Sequence, residues 1–385
     1  MKVAILVDKL IPASAPKVVC EEARYLSEFG HRAEVAVISK GGMPKKGYSF
    51  EDFLAGVPIR YFSDQMPLIK SFDFKLPFFA FLSGYHVAAP FLVPWIVKEK
   101  DYDVCISHYA GTWFTAYQLW RSRKIPCVNY HWDPLSYLIP KVYSNQLPKR
   151  VLSAAVSLAS YLDRFMVKNS LVTVTGSQLH ANFLKKLTGE NVEVIYPGCF
   201  PINRIPGTRG DYLLAVDRWD LGNMPHILLD VMKRLKRKAQ LLIAGFWHPS
   251  FLETSFVKLI EKKDLTKWVR VLGPVSEIEL TKLYLNARAL VHPIEESSVS
   301  MPALEAAAHG CPIIIPRGTT EPFMHGVHGF FPKAGNLVEY IEYTDRVICN
   351  ERLAWGMGYE AWNVAKKHSW EHHAKRLEET IMKYI

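Results

Sequence analysis

The residues best suited to chemistry lie in the stretch Leu290–Pro316, where an apolar strand runs into a polar turn and then a short Ala-rich helix. Pro302 opens this helix and Gly310 ends it, as the positional preferences of proline and glycine predict. The start of a helix, here Met301, presents unpaired backbone N–H groups and the positive end of the helix dipole, which favour an anion. Glu305, about one turn in, could bind a sugar hydroxyl. Capping or solvating a helix turn is the alternative role.

A second candidate follows the predicted strand Tyr212–Val216. Arg218 offers a planar guanidinium that suits phosphate oxygens, and Asn223 adds a neutral donor. A surface ion pair of Arg218 with Asp217 or Asp220 is the alternative. Neither stretch carries an Asp-x-Asp, the carboxylate arrangement that could hold Mn²⁺ or Mg²⁺. We therefore expect the arginine and the positive helix end to stabilise a diphosphate without a metal.

Two histidines stand where open α/β sheets bind their ligands. His108 follows the predicted strand Asp103–Ser107, and His131 follows the predicted strand Pro126–Tyr130. Such sheets bind ligands outside the carboxyl ends of their strands, so both histidines are candidates for a site. A hydrogen-bonded structural role is the alternative for each.

Length and composition predict a folded protein of two domains. A single hydrophobic core stops growing at roughly 250–300 residues, and the chain has 385. Hydrophobic residues make up 49% and aromatic residues 12% of the chain, which excludes general disorder. The formal net charge of +10 favours anionic partners such as nucleotides or phospholipid head groups, without choosing among them.

The cysteines and the first residues bear on location. Six cysteines are scattered without a C-x-x-C pair, so neither a zinc site nor a disulfide framework is predicted, and a reducing cytosol is expected. The run from Met1 to Asp8 is typical of a first core strand, and no signal peptide is evident.

Strands and helices alternate along both halves of the chain. A strand Val3–Val7, a helix Lys17–Phe29 and a strand Glu34–Ser39 predict a βαβ opening. The turn after the first strand has no glycine, so the dinucleotide fingerprint G-x-G-x-x-G is absent and NAD binding is disfavoured there. The alternation resumes at Tyr212, after a Pro- and Gly-bearing stretch, Cys199–Gly210, that we interpret as an interdomain linker.

An unusually apolar stretch, Pro77–Val97, can be tested against the roughly 20 residues that a membrane-spanning helix needs. We predict no span, because Pro90 and Pro94 should break the helix and a strand follows directly. Two interpretations stay open. The stretch is a buried helix, or it is an aromatic and basic surface that dips into a bilayer interface, with Lys70 and Lys75 at its edge.

The stretch around Glu305 resembles the carboxy-terminal half of glycosyltransferase family 4. The family signature is a Glu, seven residues, a second Glu, then Ala and a Gly-x-Pro-β-branched strand. The first Glu is replaced here by Ser297, and Glu296 lies beside it. The matching residues are Glu305, Ala306, Ala307, Gly310, Pro312 and Ile313–Ile315.

The resemblance implies an α/β fold of two facing Rossmann-like domains, the GT-B arrangement, with a C-terminal helix that crosses back to the first domain. Residues 1–200 with a helix at about 366–385 would form the acceptor side, and residues 211–365 would bind the nucleotide-sugar donor. The implied enzyme is a metal-independent, hexosyltransferase-like glycosyltransferase. It transfers sugar with retention at the anomeric carbon and uses no cofactor besides the nucleotide-sugar co-substrate.

The resemblance also implies residue roles. Family members usually hold the donor pyrophosphate with Gly-Arg, four residues, then Lys. Arg218 matches, whereas Asp217 and Asn223 replace the glycine and the lysine. The implied roles are catalytic for His108, Glu296 and Ser297, donor-binding for Arg218, Asn223, Met301, Pro302 and Glu305, and acceptor-binding for Lys17 and His131.

The basic and aromatic first half favours a lipid-linked acceptor, such as a polyprenyl phosphate, or another membrane acceptor. A cytoplasmic location with peripheral contact at the membrane face is expected. A catalytically weakened binding or scaffold protein is the alternative, because Ser297, Asn223 and the glycine-free first turn depart from the family pattern. A nucleic-acid partner is not expected, since no reading motif is found.

Overall fold

The computed structural model describes residues 1–10, 14–40, 54, 56–76, 79–144, 146–220, 223, 225–235, 238–294, 299–318 and 320–385. These residues form two compact units. The first unit ends at Pro197 and includes the C-terminal segment from Trp370, as the resemblance implied for the last helix. The second unit runs from Gly198 to Ser369.

A parallel sheet forms the centre of the first unit. Its strands lie in the order β3-β2-β1-β6-β7-β8-β9 and each pairs in parallel with its neighbours. Buried, β-branched strands are expected where helices cover both faces of a sheet. The strands are β1 (Lys2–Val7), β2 (Arg32–Val37), β3 (Ile59–Tyr61), β6 (Val104–His108), β7 (Cys127–Tyr130), β8 (Val172–Thr175) and β9 (Glu193–Val194), with β4 (Lys75–Leu76) and β5 (Phe79–Ser83) as a separate antiparallel pair.

Helices surround this sheet, and the last one returns to the first. The C-terminal helix packs against α1, and Glu378 on it lies 2.6 Å from His31 Nε2. The described helices are α1 (Ser14–Glu28), α2 (Phe62–Gln65), α3 (Gly84–Ile96), α4 (Ala110–Arg123), α5 (Leu135–Tyr143), α6 (Lys149–Lys168), α7 (Gln178–Thr188) and the C-terminal α14 (Trp370–Tyr384), with a 3-10 helix at Pro67–Phe72.

Helix α3 corrects one expectation from the sequence. It runs through Pro90 and Pro94, which were expected to break it. Packing outweighs the hydrogen bonds that the two prolines cannot donate, because one face of the helix is buried. In the last turn, Arg123 Nε donates to the Pro94 carbonyl oxygen at 2.8 Å. The helix has 13 residues, and among the described residues no helix is long and apolar enough to cross a membrane.

The second unit has its own parallel sheet, in the order β12-β11-β10-β13-β14-β15. Two layers of apolar side chains, one on each face of the sheet, form its core. The strands are β10 (Tyr212–Val216), β11 (Gln240–Ala244), β12 (Val269–Gly273), β13 (Ala289–Val291), β14 (Ile313–Ile314) and β15 (Gly329–Phe330). The helices are α8 (His226–Leu235), α9 (Phe251–Lys262), α10 (Glu277–Asn286), α11 (Met301–Ala308), α12 (Leu337–Cys349) and α13 (Glu351–Ala365).

The stretch interpreted as a linker packs on the second unit. The Cys199 N–H donates to the His368 carbonyl at 2.9 Å, and the Ile202 N–H donates to the Ala308 carbonyl at 3.1 Å. The Trp362 indole N–H donates to the Ile202 carbonyl at 2.8 Å. Proline and glycine in the stretch reflect its irregular backbone, which these partners hold in place.

Helices α11 and α13 meet through two glycines. Gly310 ends α11 with φ +66°, a conformation that favours glycine. A Cβ added at Gly358 on α13 would lie 1.9 Å from the Gly310 carbonyl oxygen, so the helix can approach only because Gly358 has no side chain. Gly356, on the same helix, has open space around its Cα.

The two glycines of α13 make a matched test of this contact. Gly358→Ala should lower the free energy of unfolding by about 1–3 kcal/mol, because the new methyl group overlaps a backbone oxygen. Gly356→Ala should leave it unchanged or raise it by up to about 1 kcal/mol, since alanine favours a helix. Urea denaturation measures both. Equal effects of the two changes would contradict the close approach.

Candidate functional site

In the second unit, the carboxyl ends of β10 and β13 bring two titratable side chains together. The strands are parallel neighbours, so Asp217 and His292, which follow them, reach the same edge of the sheet. His292 Nε2 lies 2.9 Å from Asp217 Oδ2. Gly245, after β11, has φ +125°, and a Cβ there would lie 1.8 Å from the Asp217 carbonyl oxygen. Only glycine permits this packing of the two turns.

Arg218 lies beside this pair and contacts an acid of its own turn. Its Nη2 is 3.1 Å from Asp220 Oδ2, and the arginine side chain is 48% exposed. Asp220 Oδ1 also accepts the backbone N–H of Asn223 at 3.1 Å. The ion pair that the sequence offered as an alternative is therefore present. An exposed pair contributes only about 0–1 kcal/mol, so a phosphate could displace the aspartate.

The start of α11 is capped by a side chain. The Ser300 hydroxyl accepts a hydrogen bond from the Ala303 N–H at 3.4 Å, and Pro302 has no N–H to offer. Met301 and Pro302 are buried, so an anion would meet backbone here and not their side chains. The first turn thus offers fewer free donors than the sequence suggested, although the helix dipole remains.

Glu305 is held by a buried tyrosine. The Tyr284 hydroxyl, on α10, donates to Glu305 Oε2 at 3.2 Å. Burial, and then the charge of Glu305, raise the pKa of Tyr284 well above its ordinary value, so the hydroxyl stays a donor. The sequence motif around Glu305 does not include this tyrosine, because Tyr284 lies 21 residues before Glu305. The contact fixes the direction of the carboxylate.

Two of the predicted catalytic residues, Glu296 and Ser297, lie outside the described residues. The chain is described up to Ile294 and again from Val299, and both of these flanking side chains are buried. The roles of Glu296 and Ser297 stay predictions.

In the first unit, His108 lies in a buried network at the end of β6. Its Nε2 is 2.8 Å from Glu22 Oε2, and the Trp132 indole N–H donates to its Nδ1 at 3.2 Å. Glu22 Oε1 lies 2.8 Å from His373 Nε2. Both His108 nitrogens are therefore engaged, and binding a sugar through either would break one of these bonds. Its catalytic role stays a prediction, and Glu22 is a partner that sequence reasoning missed.

The two histidines of this network determine the ionisation of Glu22. Burial alone would raise the pKa of Glu22, but His108 and His373 outweigh it and lower the pKa to about 2. His373 Nδ1 lies 2.7 Å from the Tyr196 carbonyl oxygen. The His373 ring thus lies between two acceptors, one on each side. Its contact with Glu22 joins α14 to α1.

His131 and Lys17, the predicted acceptor residues, differ in exposure. His131 is buried, with its Nε2 3.1 Å from Asp163 Oδ1. Asp163 also accepts the backbone N–H groups of Leu135 at 3.0 Å and Ser136 at 2.9 Å. These contacts fit the hydrogen-bonded structural role that the sequence left open as the alternative for His131. Lys17 is half-buried near the start of α1. Their acceptor roles stay predictions.

A polar cluster that the sequence did not indicate lies at the end of β1. The Tyr85 hydroxyl is 3.4 Å, and His86 Nε2 is 3.7 Å, from Asp8 Oδ2. His86 Nδ1 accepts the Ser83 N–H at 2.9 Å, so its Nε2 carries the hydrogen toward Asp8. A Cβ at Gly111, at the start of α4, would lie 2.5 Å from the His86 ring. Asp8, after β1, and Gly111, in the first turn of α4, therefore both lie against His86.

The described residues contain no group of three or more His, Cys, Asp and Glu side chains that could hold a metal ion. Asp101 and Asp103, in the first unit, do form an Asp-x-Asp. Asp101 Oδ2 accepts the Lys98 N–H at 3.0 Å, and Asp103 Oδ2 accepts the Lys2 N–H at 2.7 Å. These carboxylates therefore bond to backbone groups.

Two parallel α/β units in one chain, with a last helix that returns to the first unit, are the elements of the GT-B fold. Comparison with family models agrees. Residues 15–199 match the model described as Glycosyltransferase Family 4, and residues 205–363 match the model described as Glycosyl transferases group 1. Together the two models span nearly the whole chain, and the chain belongs to this glycosyltransferase family.

Known proteins of similar sequence and structure fit this assignment. The D-inositol 3-phosphate glycosyltransferase of Corynebacterium urealyticum is 27% identical over 164 residues, which are 40% of this chain and 39% of that enzyme. Anabaena Alr3699/HepE, solved with UDP-glucose, superposes with a TM-score of 0.74 at 17% identity over 100% of both chains. S. aureus TarM, solved with UDP and alpha-GlcNAc-glycerol, gives 0.74 at 10% identity over 98% of this chain and 99% of its own. At these identities the structures show the fold.

The Glu22 network yields a test with a built-in control. His373→Ala should lower the free energy of unfolding by about 1–3 kcal/mol, because the buried Glu22 carboxylate keeps His108 but loses the hydrogen bond to its other oxygen. His372→Ala, on the adjacent exposed position of the same helix, should change it by less than about 0.5 kcal/mol. Chemical denaturation at neutral pH checks both values. Equal losses would show that α14 is not held by this pair.

Proposed function

We propose that the chain transfers a sugar from a nucleotide-sugar to an acceptor, with retention at the anomeric carbon and without a metal. The observation that carries the proposal is the edge of the second sheet, where Arg218 follows β10 and α11 with Glu305 joins β13 to β14. Arginine and a helix start neutralise a departing diphosphate, and a carboxylate binds the ribose hydroxyls. Retention rests on the family resemblance.

The proposed donor is a UDP-sugar. UDP or UDP-glucose occupies solved relatives of the same fold. Asp217 stands in place of the family glycine. Its carboxylate bonds to His292, which follows the neighbouring strand β13, and not to the proposed phosphate. Asn223 supplies no charge, so Arg218 carries the cationic part of the site. The proposal therefore depends most strongly on Arg218.

Calorimetric titration with UDP in excess chelator tests this donor site. Arg218→Ala should weaken UDP binding by about one to two decades, because a charge-assisted hydrogen bond is worth about 1.5–3 kcal/mol. Asp220→Asn removes the competing charge but keeps an acceptor for the Asn223 N–H, so it should retain or strengthen binding. Arg270→Ala, an exposed arginine on β12, is the control. UDP binding that appears only with added Mg²⁺ or Mn²⁺ would overturn metal independence.

Glu305 is tested by its uncharged isostere. Glu305→Gln should weaken UDP binding by about one to two decades through loss of charge-assisted bonds to the ribose. The Tyr284 hydroxyl can still donate to the amide oxygen, so thermal stability should stay close to that of the unchanged chain. Glu261→Gln, exposed on α9, is the matched control. Unchanged UDP affinity would leave Glu305 with a structural role alone.

The acceptor proposed is lipid-linked or membrane-associated, and the cell compartment proposed is the cytoplasm, with peripheral contact at the membrane. The support is the apolar and basic character of the first unit. A scaffold protein without catalysis is the second candidate, supported by the Arg218–Asp220 ion pair at 3.1 Å. Slow hydrolysis of UDP-glucose, followed as UDP release, separates the two. Release above the uncatalysed rate supports the enzyme, and UDP binding without any release supports the scaffold.

A further inference from the structure

Arg209 bonds to the ends of two helices of the proposed donor site. Its Nη1 donates to the carbonyl oxygens of Tyr284 and Leu285 at 3.1 Å and of Ala287 at 3.3 Å, where α10 ends. Its Nη2 donates to the carbonyl oxygen of His309 at 2.7 Å, where α11 ends. A single guanidinium group therefore joins the two helix ends.

The residues that follow Arg209 complete the end of α10. The last four carbonyl groups of a helix have no partner within the helix, and Arg209 bonds to two of those of α10. The Gly210 N–H donates to the Asn286 carbonyl oxygen at 2.8 Å. The Tyr212 hydroxyl donates to the Leu283 carbonyl oxygen at 2.7 Å. The positive charge of Arg209 is stabilised at the negative ends of both helix dipoles, so this residue is a favourable link between α10 and α11.

The two helices carry the side chains that orient Glu305. The Tyr284 hydroxyl donates to Glu305 Oε2 at 3.2 Å, and His309 Nδ1 donates to the Glu305 carbonyl oxygen at 2.7 Å. The rings of Tyr284 and His309 also stack, with centroids 5.5 Å apart and an angle of 21° between their planes. Arg209 bonds to the backbone carbonyls of both of these residues. A shift of either helix end would therefore move the phenol away from the carboxylate.

The guanidinium group of Arg209 is closely enclosed. A Cβ at Gly310 would lie 3.0 Å from Arg209 Nη2 and 2.4 Å from Ile205 Cγ2. A lysine side chain carries the same charge on one nitrogen atom and lacks the planar fork that here reaches both helix ends. Arginine and lysine are therefore not equivalent at this position.

We propose that Arg209 is a positioning residue for the donor nucleotide. By joining the ends of α10 and α11 it holds the Tyr284 hydroxyl against the Glu305 carboxylate, and so keeps that carboxylate directed at the ribose hydroxyls. Arg209 acts through these backbone contacts and needs no contact with the nucleotide. This inference rests on the proposed function, in which Glu305 binds the ribose, and adds a residue outside the family signature that controls ribose recognition.

Calorimetric titration of the full chain with UDP and with 2′-deoxy-UDP tests the proposal, because the two nucleotides differ in one ribose hydroxyl. The unchanged chain should bind UDP about tenfold more tightly, the typical effect of one hydrogen bond to a charged group. Arg209→Lys should reduce this preference by about half a decade or more. Tyr284→Phe, which removes only the hydroxyl bonded to Glu305, should reduce it similarly. An arginine with a structural role alone would change thermal stability, or the affinity for both nucleotides equally, and leave the preference as it is.

Arg288→Lys is the matched control. Arg288 Nε donates to the Gly210 carbonyl oxygen at 3.1 Å, on the same segment as Arg209, and its Nη1 lies 3.8 Å from Glu351 on α13. This change should keep the preference for UDP. A preference that persists in Arg209→Lys or in Tyr284→Phe, or that Arg288→Lys reduces equally, overturns the positioning role. If Arg209→Lys does not fold, Arg209→Gln, whose uncharged amide costs less to bury, carries the same expectation.

The same titrations separate this inference from the proposed function. Binding of neither nucleotide by the unchanged chain would remove the proposed donor site, and this inference with it. Equal binding of the two nucleotides would keep a UDP site and remove ribose recognition through Glu305. A preference for UDP that survives the changes at Arg209 and Tyr284 would keep the donor site and remove only the role of Arg209.

Discussion

Charge neutralisation at the carboxyl edge of a parallel sheet is the constraint on which both units depend. Parallel strands deliver the residues that follow them to one edge, so acids and bases that are distant in sequence meet there. Asp217 meets His292 in this way, and His131, which follows β7, meets Asp163 on helix α6, each within about 3 Å. A buried charge without a partner would cost several kcal/mol, so these pairs are needed before any ligand binds. Exposed Arg218 is the charge that remains exchangeable.

Local patterns predicted the elements best where nothing distant competed with them. The strand Tyr212–Val216 begins and ends as predicted, since it is a buried apolar run bounded by polar turns. The proline rule failed in α3, because burial of one face of the helix compensates for the hydrogen bonds that Pro90 and Pro94 cannot donate. The packing of the stretch interpreted as a linker could not be predicted either, since its backbone partners lie more than 100 residues away. Local sequence patterns reflect conformational propensity and carry no information about these tertiary contacts.

The candidate site shows the same division. Arg218 and its partner Asp220 are two residues apart, so the ion pair could be anticipated. Glu22 lies 86 residues from His108 and 351 from His373, and no local pattern could join them. Arg218 and Glu22 also differ in their exposure to solvent. Arg218 is exposed and can exchange one anion for another, whereas the buried Glu22 is ionised because two histidines lower its pKa.

A co-crystal structure with UDP tests the central claim most directly, because it locates the diphosphate relative to β10 and α11. The account predicts the diphosphate within hydrogen-bond distance of Arg218, with the Arg218–Asp220 pair opened, and the ribose hydroxyls on the Glu305 carboxylate. Density for UDP elsewhere, or UDP bound at this edge with Arg218 still paired to Asp220 and Glu305 bonded only within the protein, would contradict it.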